Sequence, residues 1–345
     1  MYKTVNNFDL KRIIIGFMLF MLFIVLLPLM IIGFKDKDVK EIKKYEVSEK
    51  NDYRKNELEG KDLKNIKVYN KNKNKISEIN LEEYIIGVVA SEMPASFNEE
   101  ALKAQAVAAR TFAVSKMLFS CKEAKGGHIC DTVHCQVYVG KDERIKGWGK
   151  EKGEEYWNKI KKAVEETNGE ILTYEGNLVL NPQYFAVSSG KTENADDVFT
   201  FSKDYLKSVE SPGEDIAPKY KSKEIFSYKE FIIKVNENYK EAHLNNENLL
   251  KQIEILERTE GGAVRTVRLG EQILTGVEFR KLFNLNSANF NMNFEKGKIE
   301  IQCIGYGHGV GMSQWGANVM GKDNKTYKEI LSHYYKGIEI EFVNK

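Results

Sequence analysis

The chain has 345 residues, 42% hydrophobic and 11% aromatic, enough for a sizeable core in one large domain or two. Its 52 Lys and Arg nearly cancel its 50 Asp and Glu, and the resulting +2 lacks the basic excess of a nucleic-acid binder. No nucleic acid is expected among its partners.

A short head, 1–12, carries Lys3, Lys11 and Arg12. Residues 13–34, IIIGFMLFMLFIVLLPLMIIGF, then run without a charge. As a helix they rise about 33 Å, the depth of a bilayer core. A cleaved signal peptide is the competing reading. Its apolar region is shorter and a small-x-small site should follow, whereas this run ends IIGFKDKD. An uncleaved transmembrane helix is therefore expected. Lys35, Lys37, Lys40, Lys43 and Lys44 follow it, so the positive-inside rule alone does not place the N-terminus inside.

Residues 35–65 are rich in Lys, Glu, Asp and Asn and read as a polar linker. The body is expected over 66–345. NIKVYN and KISEIN predict two short strands around a Lys/Asn turn. NLEEYIIGVVASEMP predicts a helix capped by Asn80, with Glu83 three residues on, and stopped by Pro94. A second, Ala-rich helix is expected from about Glu99 to Phe119. Residues 120–150 read as a loop with Cys, His and Gly. A helix near YWNKIKKAVEETNG ends at Gly169. EILTYEGNLVL and PQYFAVSSG read as strands, and 222–257 as a charged, helical subdomain. Short strands recur from Arg265 to Glu300. Then come the glycine-rich GYGHGVGMSQWGA, a last helix, YKEILSHYY, and a final strand. The expected fold class is α+β: mixed helices and short antiparallel strands around a substrate cleft, with one N-terminal transmembrane helix.

In the first helix Leu81, Tyr84, Ile85, Val88, Val89 and Glu92 share one face of a 3.6-residue repeat. Glu92 therefore points where the core residues point. Such a carboxylate must be paired, or lie at the edge of a cleft with a raised pKa. A raised pKa suits a general acid near neutral pH. The competing readings are an ion pair, with Arg110 for example, or a frayed helix end that leaves Glu92 in water.

Three stretches weigh on that choice: GVVASEMPASFNEEALKAQAVAARTFA; SSGKTENADDVF with YLKSVESP after it; and GHGVGMSQWGA. Together, and in this order, they resemble the signature of the stage II sporulation protein D family, over about residues 80–335. The resemblance implies a lytic transglycosylase that cleaves between N-acetylmuramic acid and N-acetylglucosamine in peptidoglycan glycan strands and leaves a 1,6-anhydro ring. It implies glycan already stripped of stem peptides by a partner amidase, and Glu92 as the catalytic acid. It also implies work during sporulation engulfment, with that amidase and a polytopic membrane protein of the same stage as partners. The body would lie outside the membrane, facing the wall, with the head in the cytoplasm. Lys103, Gln105 and Arg110 on the next helix are candidates to hold the acid or bind sugar, against ordinary surface or packing roles. Three rivals stand beside this: a muramidase using water, a zinc amidase, and a non-catalytic wall-binding scaffold.

HICDTVHC supplies His128, Cys130, His134 and Cys135, a ligand set that suits tetrahedral zinc. Four protein ligands leave no open position, so the zinc would be structural. The spacing is not a standard finger. With Cys121 just upstream, a disulfide or free thiols compete. Cys303 reads as a buried thiol in an apolar strand.

SSGK matches S-x-x-K, but no S-D-N or K-T-G accompanies it. Ser189 and Thr192 are instead candidates to hydrogen-bond glycan, against a loop that only packs. GYGHGVGMSQWGA is neither a P-loop nor a dinucleotide fingerprint. Its His308, Ser313, Gln314 and Trp315 are candidates to line the cleft, against a tightly packed turn. Tyr184 is placed near the site.

Overall fold

The structure, a computed structural model, describes Leu58 and residues 60–343. Among them no helix is long and apolar enough to cross a membrane. The predicted span 13–34, the head 1–12 and residues 35–57 of the linker lie outside the described residues.

Asn65–Asn70 (β1) and Lys75–Asn80 (β2) pair antiparallel across a tight turn, as NIKVYN and KISEIN predict. Ile129–Cys130 (β3) adds to β1 in parallel, with Cys130 opposite Tyr69. Leu81–Glu92 (α1) begins where β2 ends. The Asn80 side chain accepts from the Glu82 and Glu83 N–H groups, two donors that a helix start leaves unpaired. The predicted stripe is buried, and so are Ile86, Gly87 and Ala90. α1 is therefore enclosed almost all round, and its last residue is the acid.

Glu99–Leu118 (α2) is the hub. Asn98 caps it, and Ala101, Ala104, Ala106, Ala108, Ala109 and Ala113 are fully buried. These small side chains let four helices pack on it: α1, Lys150–Glu165 (α4), Gln314–Lys322 (α7) and Tyr327–Tyr334 (α8). Between α2 and α4, Lys141–Trp148 (α3) stands in the stretch read as a loop. It buries no residue, so it shows no apolar period. α7 also escapes the reading, because its start lies in the glycine-rich motif. Gly316 is required there: a Cβ would strike the Tyr334 hydroxyl and approach Ser211 Oγ to 2.6 Å.

Glu170–Tyr174 (β4) folds back through the predicted Glu175–Gly176 turn onto Asn177–Leu178 (β5) and pairs with the final strand, Ile338–Phe342 (β14). PQYFAVSSG gives only Tyr184–Phe185 (β6), in parallel with Met312–Ser313 (β13). That pair carries the glycine-rich segment past Tyr184.

A second core lies between 221 and 304. Lys221–Ser227 (β7), Phe290–Glu295 (β11) and Lys298–Ile304 (β12) form one antiparallel sheet. Ile253–Arg258 (β8), Val264–Leu269 (β9) and Gln272–Thr275 (β10) form another. Tyr228–Asn238 (α5) and Gly276–Phe283 (α6) fill the space with Phe231, Val235, Phe279 and Phe283 against Phe290 and Ile301. The stretch 222–257 is thus not a helical subdomain. It begins and ends as strand and is helical over α5, a three-residue 3-10 turn at Lys240–Ala242 and a four-residue turn at Leu249–Gln252. β7 is mostly exposed, so its charges mimic a solvated helix face.

Candidate functional site: one buried acid beside a cysteine–histidine cluster

Glu92 is half-buried at the end of α1. Val137 N–H donates to its Oε1 at 3.0 Å, and the Gln314 side chain donates to the carboxyl as well. Burial pushes its pKa above the ordinary carboxylate value and outweighs the opposing pull of both hydrogen bonds. No cation among the described residues pairs with it, so neither the ion pair with Arg110 nor the frayed end is what folds.

A cleft of about 430 Å³ opens beside Glu92, walled by Phe112, Val133, His134, Tyr184, Phe199 and His308. Glu92 is the only carboxylate among its lining residues. Gln136 Nε2 donates to the Tyr184 hydroxyl at 3.1 Å and to Ala109 O at 3.2 Å, while Gln136 Oε1 accepts from the Tyr84 hydroxyl at 3.2 Å. Burial first, then the nearby Glu92 charge, pushes the Tyr184 phenol well up, so it stays protonated. His308 sits between Phe185 and Phe199. Burial, with Arg280 nearby, lowers its pKa to about 4. Its Nδ1 accepts from Val310 N–H at 3.1 Å, which leaves the proton of the neutral imidazole on Nε2.

The other predicted glycan contacts divide. Gln314 reaches the acid, and its Nε2 lies 3.5 Å from Oε1 of the fully buried Gln105 behind it. Arg110 is corrected: it is fully buried on the far side of α2. There it grips Glu82 through two bonds of 2.8 and 2.7 Å and donates to the carbonyls of Glu170 and Val164. Lys103 pairs with Glu100 at 2.8 Å and Glu166 at 2.7 Å, away from the cleft. Thr192 is buried, its hydroxyl accepting from Val209 N–H. Ser313 caps α7 and donates to Glu214 at 2.6 Å. Trp315 packs at 75° against the Phe97 ring and lies outside the lining of the Glu92 cleft. Ser189 lies outside the lining of the Glu92 cleft, in a smaller pocket that also borders His308. Ser188 is buried and Lys191 is engaged by Glu260 at 2.8 Å, which leaves no S-x-x-K nucleophile.

The cysteine–histidine cluster is real but differs by one member. Cys121, Cys130, His134 and Cys135 place their ligand atoms within 4.8 Å of one another. His134 Nδ1 stands 3.4, 3.7 and 3.5 Å from the sulfurs of Cys121, Cys130 and Cys135. Tetrahedral zinc, with Zn–S near 2.3 Å and Zn–N near 2.0 Å, sets N···S edges at about 3.5 Å. The donor set and spacing therefore fit such a metal. All four cysteines of the chain are free thiols, so the disulfide reading fails. His128 is excluded because its Nδ1 accepts from Lys67 N–H at 3.1 Å. Its carbonyl accepts from Cys121 N–H at 2.9 Å, and that bond brings Cys121 to the cluster. Burial and the neighbouring sulfurs push the Cys135 thiol well up, a shift that a central cation reverses. His134 and Cys135 also line the Glu92 cleft. Sequence reasoning missed Gln136 and Val137, although both follow directly on Cys135.

Fold and site together define an α+β protein with a single-acid cleft, one wall of which is a metal-type cluster. A family model described as Stage II sporulation protein matches residues 69–174. Stage II sporulation protein D of Bacillus subtilis (strain 168) is 43% identical over 289 residues, 81% of each chain. That of Bacillus amyloliquefaciens is 42% identical over 277 residues, 80% of this chain and 78% of its own. The amidase enhancer of Bacillus subtilis (strain 168) is 26% identical over 299 residues, 73% of this chain and 39% of its own. The chain belongs to the stage II sporulation protein D family.

Proposed function

We propose that the protein is a lytic transglycosylase of peptidoglycan glycan strands, with Glu92 as its single acid and base. The observation that carries this is the cleft with one half-buried carboxyl, held by neutral donors and no cation among the described residues, and no second carboxylate in its lining. Ordinary glycosidases use two carboxyl groups, the second as nucleophile or to activate water. A muramic acid unit can supply its own nucleophile, the 6-hydroxyl. Protonated Glu92 gives its proton to the glycosidic oxygen, and the C1–O bond breaks. The 6-hydroxyl oxygen then bonds to C1, and its proton passes to the Glu92 carboxylate, which restores the acid. His308 contributes shape and stays neutral, its Nδ1 already accepting from Val310 N–H.

Cys121, Cys130, His134 and Cys135 would hold a zinc ion, which would tie the 121–135 loop together as one wall of the cleft. With four protein ligands it keeps no position for substrate. We place the body outside the membrane on the 13–34 anchor with the head cytoplasmic, because glycan lies there. We further assign peptide-stripped glycan as substrate, engulfment as the setting, and an amidase and a polytopic membrane protein as partners. The support for these is family membership and the amidase enhancer similarity.

The test uses the full-length chain in detergent, as wild type and Glu92→Gln, with peptide-free glycan strands and mass spectrometry of the products. Anhydro-muramic ends from wild type alone support the reading. Reducing ends would shift it to a muramidase, and binding without cleavage to a scaffold.

A further inference from the structure

Glu214 is only 1% exposed and lies outside the lining of the Glu92 cleft. Its Oε2 accepts from the Ser313 hydroxyl at 2.6 Å and from Ser188 N–H at 2.7 Å. Its Oε1 accepts from the Ser211 hydroxyl at 2.6 Å, and Ser211 in turn accepts from the Tyr334 hydroxyl at 2.6 Å. All of its donors are neutral. One buried carboxyl thus gathers three segments of the chain. Burying an acid without a cation costs stability that an apolar side chain would keep. Its place here points to a task in geometry.

Two of those segments lead to the cleft. Ser188 lies three residues beyond β6, which carries Tyr184. Ser313 ends β13 and immediately precedes Gln314, the first residue of α7. A serine hydroxyl has one proton to give. Glu214 takes it, which turns the Ser313 oxygen to accept from Gly316 N–H at 3.2 Å and cap α7. The same turn is packed down on the carboxyl, since a Cβ on Gly316 would come within 2.7 Å of Glu214 Oε1. Gln314 stands between these two fixed points. Its side chain bonds the Glu92 carboxyl from outside the lining of the cleft.

We propose that Glu214 is a positioning residue for the acid: through Ser313 and the first turn of α7 it aims the Gln314 amide at the Glu92 carboxyl, without touching glycan; this rests on the glycan-cleaving reading above. Without Glu214 the Ser313 hydroxyl is free to rotate, the cap loosens, and the amide loses its aim. The Glu92 carboxyl then samples orientations that do not deliver its proton to the glycosidic oxygen.

The test measures kcat and KM for anhydro-end formation from peptide-free glycan strands by full-length wild type, Glu214→Ala, Glu214→Gln, Gln314→Ala and the double variant Glu214→Ala/Gln314→Ala. The pH is set on the plateau below the basic limb, where Glu92 is protonated in every variant. Glu214→Ala should lower kcat about tenfold, the worth of one aiming hydrogen bond, with KM within about twofold. Glu214→Gln keeps an oxygen for Ser313 and Ser188, so it should restore kcat. Gln314→Ala should lose a similar factor, and the double variant should lose no more than the worse single one, because both remove the same contact. Ser313→Ala cuts the link at its other end and serves if Glu214→Ala does not fold. Unchanged kcat in Glu214→Ala or Ser313→Ala, losses that multiply in the double variant, or no rescue by glutamine would each overturn the positioning role and leave the cleaving activity standing. No anhydro product from wild type overturns the reading on which that role rests, and the role with it.

Discussion

Gln314 joins two elements far apart in sequence: its side-chain amide bonds the Glu92 carboxyl at the end of α1 and lies 3.5 Å from Gln105 Oε1 on α2. The acid is therefore held by a neutral donor, not a cation. A neutral donor orients a carboxyl without keeping it ionised. Burial stays dominant and the pKa stays raised.

This gives a pH prediction. The acid form of Glu92 starts the reaction, so kcat/KM should fall as pH rises through its raised pKa. Gln314→Ala removes a bond that lowers that pKa. The basic limb should move to higher pH, by up to about one unit for one hydrogen bond. A limb that stays in place, measured on peptide-free glycan from pH 4 to 9, would show that Gln314 does not tune the acid.

The cluster makes a sharper claim about ligands. Cys121→Ser should lose bound zinc, while His128→Ala should keep it, because His128 Nδ1 is taken by Lys67 N–H. Metal content by mass spectrometry checks both. Chelation should lower the melting temperature of wild type and His128→Ala alike. Zinc loss in His128→Ala with retention in Cys121→Ser would restore the ligand set expected from sequence.

What the sequence disclosed follows local periodicity. Glu92 was legible because the α1 stripe turns it inward and the family resemblance weighed for a catalytic acid over the ion pair and the frayed end. Cys121 was not, because its approach depends on a backbone bond to His128 made through the β1–β3 pairing. Arg110 was misplaced because a helix neighbouring the acid has two sides. Its partner, Glu82, stands at the opposite end of α1 from Glu92. Glu214 gave no signal, since a lone acid in a polar loop looks solvated until tertiary packing buries it.

Arg110 therefore yields a stability prediction and not a binding one. Its guanidinium satisfies both Glu82 oxygens and two carbonyls. Arg110→Met would strand those acceptors and should cost roughly 3–5 kcal/mol in denaturant unfolding. KM of the folded fraction should not change. A raised KM at unchanged stability would return Arg110 to the substrate.

Glu214 carries the last prediction. It is buried, accepts from Ser211 and Ser313 at 2.6 Å and from Ser188 N–H at 2.7 Å, and so ties the SSGK loop to the α7 cap that leads into Gln314. Burial raises its pKa to about 7 from an ordinary 4.5, against the pull of those bonds. Between those two values the folded chain holds a proton that the unfolded chain has released. Stability from this group is therefore full below about pH 4.5 and falls as pH rises to about 7. The whole effect is on the order of 3 kcal/mol. Glu214→Gln removes the titration and keeps the shape, with Ser211 turned to accept from the new amide. The stability of the variant relative to wild type should therefore rise between pH 5 and pH 8, by up to that amount. Chemical denaturation at both pH values measures it. A difference independent of pH would mean that Glu214 stays ionised in the fold, its three donors outweighing its burial.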